Sequence, residues 1–184
     1  MNLIFLDIDN VLNYGYASPI RSNMETYGFA PDLVANLKWI VDSVPNTKIV
    51  ISSSWRMTRI MADISETVNW RNVLERMLGC TETGGLIIGD IPHTNEYPDD
   101  GLDWTDKRGE DIKNWLELYG KMYDVKKFAI IDDNASCGTI PMLFPDEFVN
   151  VDAFEVGECL SRRNAEIVIG KLNYEYRTNM QSEK

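Results

Sequence analysis

Histidine is all but missing from this chain of 184 residues, His93 being the single one. Its scarcity excludes a histidine-rich metal centre and a histidine proton relay. Cysteine is scarce too: Cys80, Cys137 and Cys159 are widely spaced, with no metal-type pairing. An odd number of scattered thiols fits a reducing compartment, so a cytoplasmic protein is expected. No stretch approaches the ~20 apolar residues that span a bilayer, and no basic segment precedes Leu3. Neither a membrane span nor a signal peptide is therefore expected. Basic residues are also in deficit, with 18 Lys and Arg against 29 Asp and Glu, for a net charge of −11. Proteins that track long nucleic acids need a basic footprint, because neutralising phosphates dominates their affinity. The acids across residues 96–106 and 146–158 leave no basic stripe, so long-duplex binding is not expected. A local rim of Arg56, Arg59, Lys107 and Arg108 remains available.

What the chain does contain is apolar sequence, 44% of its residues, enough for one well-buried domain. Much of it comes as short runs with chemistry at their ends. Leu3-Ile4-Phe5-Leu6 delivers Asp7 and Asp9, followed by Asn10, Val11 and Leu12. Such a run reads as a buried strand, and in an open α/β sheet its carboxyl end faces the ligand crevice. Asp is a poor strand former and costly to bury unpaired, so two of them there need a cation, a partner or a reaction. A capped turn after a first strand is the plainer alternative. Phe128-Ala129-Ile130-Ile131 repeats the pattern and ends in Asp132-Asp133-Asn134. Two such strands bring four acids to one sheet edge, a repulsion best relieved by a divalent cation. Oxygen-only ligands point to Mg²⁺ rather than zinc.

A third run, Lys48-Ile49-Val50-Ile51, ends in Ser52-Ser53-Ser54-Trp55-Arg56. Hydroxyls and backbone N–H groups at a strand-to-helix junction form an anion-binding nest. Helix capping by Ser53 or Ser54 is the alternative and can coexist with it. Lys107-Arg108-Gly109-Glu110-Asp111 opens an amphipathic helix with Ile112, Trp115, Leu116 and Tyr119 on one face. Glu110 and Asp111 suit a helix N-terminus, whereas the basic pair opposes the macrodipole. That misplacement points to Lys107 or Arg108 serving a phosphate, against the alternative of a solvated surface pair.

In motif order, Asp7-Ile8-Asp9-Asn10-Val11-Leu12, the serine after the second strand, a lysine and then Asp132-Asp133 resemble the haloacid dehalogenase (HAD) superfamily. More narrowly, Phe5 to Asn13, Ser52 to Arg56 and Arg108 to Leu116 resemble the small phosphatase-like domains found with RNA-repair proteins. These are related to the phosphatase half of phage polynucleotide kinase. The similarity spans roughly residues 2–172. Asn10 departs from the pattern, which has glycine there. The position needs a positive φ, and Asn is the non-glycine residue that best tolerates it.

The resemblance implies a Mg²⁺-dependent phosphomonoester hydrolase working through an aspartyl-phosphate. In it Asp7 is the nucleophile and Asp9 the general acid and base. Ser52 binds a phosphoryl oxygen and Lys107 neutralises charge during transfer. The metal shell is Asp7, the Asp9 main-chain carbonyl, Asp132 and Asp133. Asn10, Ser53, Arg56 and Arg108 are expected at the substrate, which is a nucleotide, an oligonucleotide end or another small phosphoester. Two alternatives stay open: a non-catalytic binding or regulatory protein that keeps the fold, and a small-molecule phosphatase or phosphotransferase.

Alternating strands and helices predict a three-layer, Rossmann-like α/β/α sandwich with a mostly parallel sheet. Set against the resemblance, the few residues between the first motif and Pro31 leave no room for a large cap domain. One domain is expected over residues 2–172, with a small insert around 57–106 and a tail over 173–184. Helices are expected over residues 31–43, with Leu33, Leu37, Ile40 and Val41 inward, and over 55–62, 68–78 and 158–172. Short strands are expected at 84–89 and 148–151, and a long loop at 90–106. Trp39, Trp70, Trp115 and Phe128 read as core. Trp55 and Trp104 flank site residues and are candidates for stacking on a base or sugar.

Overall fold

A computed structural model of the protein describes residues 1–14, 28–57, 70–80, 85–92, 107–133, 139–151 and 159–173. The expected tail beyond Asn173, His93, Trp104, Arg59 and most of the 90–106 loop lie outside the described residues, as does the Arg56 side chain. Strand β1 (Asn2–Leu6) is followed by α1 (Pro31–Ser43), β2 (Thr47–Ile51), a 3₁₀ turn (Ser54–Met57) and α2 (Trp70–Met77). Then come β3 (Ile87–Asp90), α3 (Arg108–Tyr119), β4 (Lys127–Asp132), α4 (Thr139–Leu143), β5 (Phe148–Asn150) and α5 (Arg162–Asn173).

The five strands form one sheet in the order β3-β2-β1-β4-β5, and every pairing is parallel. The unbroken apolar runs of β1 and β4 follow from this, because a parallel sheet covered by helices buries both faces. Ile4 and Leu6 pack with α1, α2 and α5, whereas Leu3 and Phe5 pack with α3 and α4. Each fully buried Leu or Ile contributes about 1.5–3 kcal/mol by leaving water. The result is the expected α/β/α sandwich, with a fully parallel sheet among the described strands. No described helix is long and apolar enough to cross a membrane.

Strand order sets where chemistry can happen. From β1 the chain steps outward to β2 and β3, then returns to the other side of β1 for β4 and β5. The side to which strands are added therefore switches between β1 and β4 while the strands stay parallel, and the carboxyl ends there open a crevice. Register fixes which residues share it: Leu6 pairs with Ile51 on one side and Ile131 on the other. Asp7, Ser52 and Asp132 each follow one of these three residues directly.

Helix α1 begins at Pro31, whose fixed φ suits the first turn. Its start is tied to the loop after β1 by the Ala30 N–H donating to the Leu12 carbonyl at 2.8 Å. Inward residues include Leu33, Leu37 and Ile40 as expected, joined by Val34. Helix α4 was not anticipated, since five residues containing Pro141 carry no readable period. It lies against α3 at Gly109, whose N–H donates to Thr139 Oγ1 at 3.0 Å. A Cβ at position 109 would stand 2.6 Å from the Thr139 backbone carbon. Gly109→Ala must push the two helices apart and is expected to cost about 1–3 kcal/mol. Gly170→Ala in α5, with nothing within 4 Å of its Cβ, should instead gain about 0.5–1 kcal/mol from helix propensity. Urea midpoints of the two variants check the contrast, and equal shifts would contradict the close approach.

Candidate active site

At the crevice the end of β1 is held on both sides. Asp7 N–H donates to the Ile131 carbonyl at 3.0 Å, and Ser52 N–H donates to the Leu6 carbonyl at 2.9 Å. Asp7, Ser52 and Asp132 are thereby fixed by the sheet ladder, and all three are buried. After Asp7 the chain coils tightly, with Val11 and Leu12 N–H groups both reaching the Ile8 carbonyl. Asn10 sits at the bend with φ 55, the left-handed conformation expected for it. Leu160 N–H donates to the Val11 carbonyl at 3.1 Å, and Cys159 Sγ lies 3.5 Å from the Asn13 carbonyl. The loop is thus anchored at its base by the segment that leads into α5.

Carboxylate oxygens of Asp7, Asp132 and Asp133 lie within 4.8 Å of one another. Arg108, only 6% exposed, spans two of them: its Nη1 pairs with Asp132 Oδ2 and lies 3.4 Å from Asp7 Oδ2. Burial raises the Asp133 carboxyl to about 6, and the Asp7 charge pushes the same way. The Asn10 amide, donating to Asp133 Oδ2 at 2.8 Å, and the Arg108 charge pull it back. Three crowded acids with one guanidinium leave net negative charge in a poorly hydrated site, which a small cation would offset.

Asp9 is placed differently from the other three acids. Its Oδ2 accepts from Trp55 Nε1 at 3.0 Å and its Oδ1 from Asn13 Nδ2 at 3.1 Å. Three of the four expected acids therefore form the cluster, while the Asp9 carboxylate stands on the side of Trp55. Ser52 is fully buried at the end of β2, and Ser53 Oγ accepts from Trp55 N–H at 3.3 Å, bracing the 3₁₀ turn. Lys107 is the half-buried residue preceding α3, and its neighbour Arg108 is the one directed at the acids. Trp55 is 2% exposed between Phe29 and Trp70, so it is core and not a stacking platform. Trp70 and Trp115 are buried as expected. Sequence reading gave no role to Asn13 or to the indole N–H of Trp55. Asn13 stood inside the quoted motif, but only the fold brings Trp55 across to Asp9.

The sheet order, the two acid-ended strands and the serine-ended strand agree with the comparison of sequences. Residues 3–165 match the family model described as the HAD domain in Swiss Army Knife RNA repair proteins. The chain belongs to this HAD family. Membership places the chain in the HAD superfamily, whose broad class is that of hydrolases and phosphatases. No curated protein and no solved structure matches the chain. This HAD domain carries an acidic pair after β1 and another at the end of β4, with Asn10 at the bend.

Proposed function

We propose that this HAD domain is a Mg²⁺-dependent phosphomonoester hydrolase that works through an aspartyl-phosphate on Asp7. The observation that carries this reading is Asp7 itself. It is a buried carboxylate at a strand end, clustered with Asp132 and Asp133 and faced by the Arg108 guanidinium. Oxygen donors without nitrogen or sulfur suit Mg²⁺, held by Asp7, Asp132 and Asp133 with the Asp9 carbonyl. When bound, such a cation supplies charge neutralisation between an incoming phosphate and the acids around it.

The chain's own groups then divide the work. An Asp7 oxygen attacks phosphorus, forming a P–O bond as the bond to the leaving oxygen breaks. Asp9 gives its proton to that oxygen, then takes one from the water that hydrolyses the aspartyl-phosphate. Ser52 supports a phosphoryl oxygen from the end of β2. Neutralisation of the transferring group, which the resemblance implies for Lys107, falls to Arg108 in this reading, because Arg108 is the basic residue facing Asp7.

The substrate we propose is a nucleotide or a nucleic-acid terminal phosphate, in a cytoplasmic setting. The family's RNA-repair description favours strand ends, and the net charge of −11 favours something short. A strand end satisfies both, because it needs only one or two phosphate contacts. Mg²⁺-dependent phosphate release from p-nitrophenyl phosphate, mononucleotides and 3′- or 5′-phosphorylated oligonucleotides tests the reading. Oligonucleotide ends should turn over best. Their affinity should fall by about 0.7 log units per tenfold salt for each contacted phosphate. A slope equivalent to six contacts, or indifference between ends and p-nitrophenyl phosphate, would defeat the strand-end assignment. No release from any of these compounds would leave a binding protein that keeps the fold.

A further inference from the structure

We propose that Trp55 and Asn13 are positioning residues that hold the Asp9 carboxyl in one orientation by placing a donor on each oxygen. The inference rests on the reading of Asp9 as general acid and base. Trp55 Nε1 reaches Oδ2 at 3.0 Å, and Asn13 Nδ2 reaches Oδ1 at 3.1 Å.

Both donors are fixed from behind. The indole of Trp55 lies between the Phe29 ring, with centroids 5.5 Å apart, and an edge-on Trp70 ring at 5.7 Å. Trp70 in turn carries the Arg71 guanidinium 5.3 Å from its ring centre, and Arg71 pairs with Asp90 at the end of β3. The Trp55 main chain is braced by Ser53 Oγ. Asn13 is buried, and its Oδ1 accepts the Asn10 N–H at 2.9 Å. That bond settles which way the amide faces, because the carbonyl side is used and the NH₂ side must point to Asp9. One turn of chain therefore links Asp133, Asn10, Asn13 and Asp9.

The chemistry gives this arrangement a use. An indole N–H and an amide NH₂ only donate, so the proton of neutral Asp9 must sit on a lone pair that neither engages. When the proton moves to the leaving oxygen, Asp9 becomes a carboxylate that already has a donor on each oxygen. The two bonds strengthen as charge develops, which is the condition for lowering a barrier. Water attack on the aspartyl-phosphate returns a proton to the same carboxylate, breaks the bond to Asp7 and releases phosphate.

A merely structural Trp55 would affect all substrates alike, whereas a general acid matters most for poor leaving groups. Phenyl phosphate and p-nitrophenyl phosphate are close in shape, and phenol is the weaker acid, with a pKa of about 10. Trp55→Phe keeps a ring between Phe29 and Trp70 and removes the N–H. Its kcat/KM should fall about 10- to 100-fold on phenyl phosphate, a part of the roughly 10²–10⁴-fold that a general acid supplies. On p-nitrophenyl phosphate the loss should stay within about threefold of wild type, because that leaving group needs little protonation. Asn13→Ala should show the same asymmetry, and it carries the comparison if Trp55→Phe does not fold. Equal losses on both esters, or none, would overturn the proposal. Asp9→Asn run alongside separates the two levels. If it leaves phenyl phosphate turnover intact, the acid reading fails and the proposal with it. If it abolishes turnover while both neighbours leave the leaving-group dependence unchanged, only the positioning proposal is overturned.

Discussion

Asp7→Asn is expected to abolish phosphate release, by about a millionfold, the scale seen when a catalytic nucleophile is removed. The amide matches the carboxylate in shape but cannot attack phosphorus. Asp9→Asn should lose only about 10²–10⁴-fold, as for a missing general acid. The fold should survive the change at Asp7. Its side chain leaves a crowded group of three acids, and Arg108 keeps Asp132 as a partner. Without divalent metal the melting temperature should hold or rise, since one repelling charge has gone. Steady-state turnover and thermal melting of the same preparation check both halves. An Asp7→Asn protein that keeps more than a few per cent of its activity would contradict the covalent mechanism.

The second large effect concerns Arg108, the one described cation that bridges Asp7 and Asp132. Arg108→Met keeps much of the buried stem but leaves Asp7, Asp132 and Asp133 without the guanidinium. Removing one partner of a buried ion pair costs about 3–5 kcal/mol. In a chain of this length that corresponds to roughly 10 °C of melting temperature in chelator. Millimolar Mg²⁺ should recover part of the loss by binding the folded state alone. The metal-induced rise should therefore be larger in Arg108→Met than in wild type, and absent in Asp132→Ala. Lys107→Met, one residue away, should stay within about 0.5 kcal/mol. If Arg108→Met melts in chelator as wild type does, the acids do not repel as their geometry requires.

Much of this architecture is legible in the chain because burial on both faces writes the three central strands as largely apolar runs. Leu3 to Leu6, Lys48 to Ile51 and Phe128 to Ile131 declare themselves, and their polar endings mark the carboxyl edge of the sheet. The left-handed bend at Asn10 is legible for a related reason, as few residues other than glycine and asparagine accept it. The choice between Lys107 and Arg108 is not legible. Successive helix positions differ by about 100°, so an uncertainty of one residue in where α3 starts decides which side chain faces the acids. Trp55 is hidden for another reason. Its partners Phe29, Trp70 and Asp9 come from separate elements, and nothing local to Ser52–Arg56 announces an indole turned inward. Helix α4 escapes because five residues are too few to show a period.

The most direct measurement is acid-quenched single turnover of Asp9→Asn with p-nitrophenyl phosphate and Mg²⁺, followed by peptide mapping. This ester needs little help from an acid, whereas hydrolysis of the aspartyl-phosphate loses its base, so the intermediate should accumulate. The account predicts one equivalent of p-nitrophenolate per chain, little free phosphate, and a phosphoryl group on the peptide that contains Asp7. Stoichiometric release of p-nitrophenolate together with equal free phosphate, and no phosphoryl group on Asp7, would contradict it.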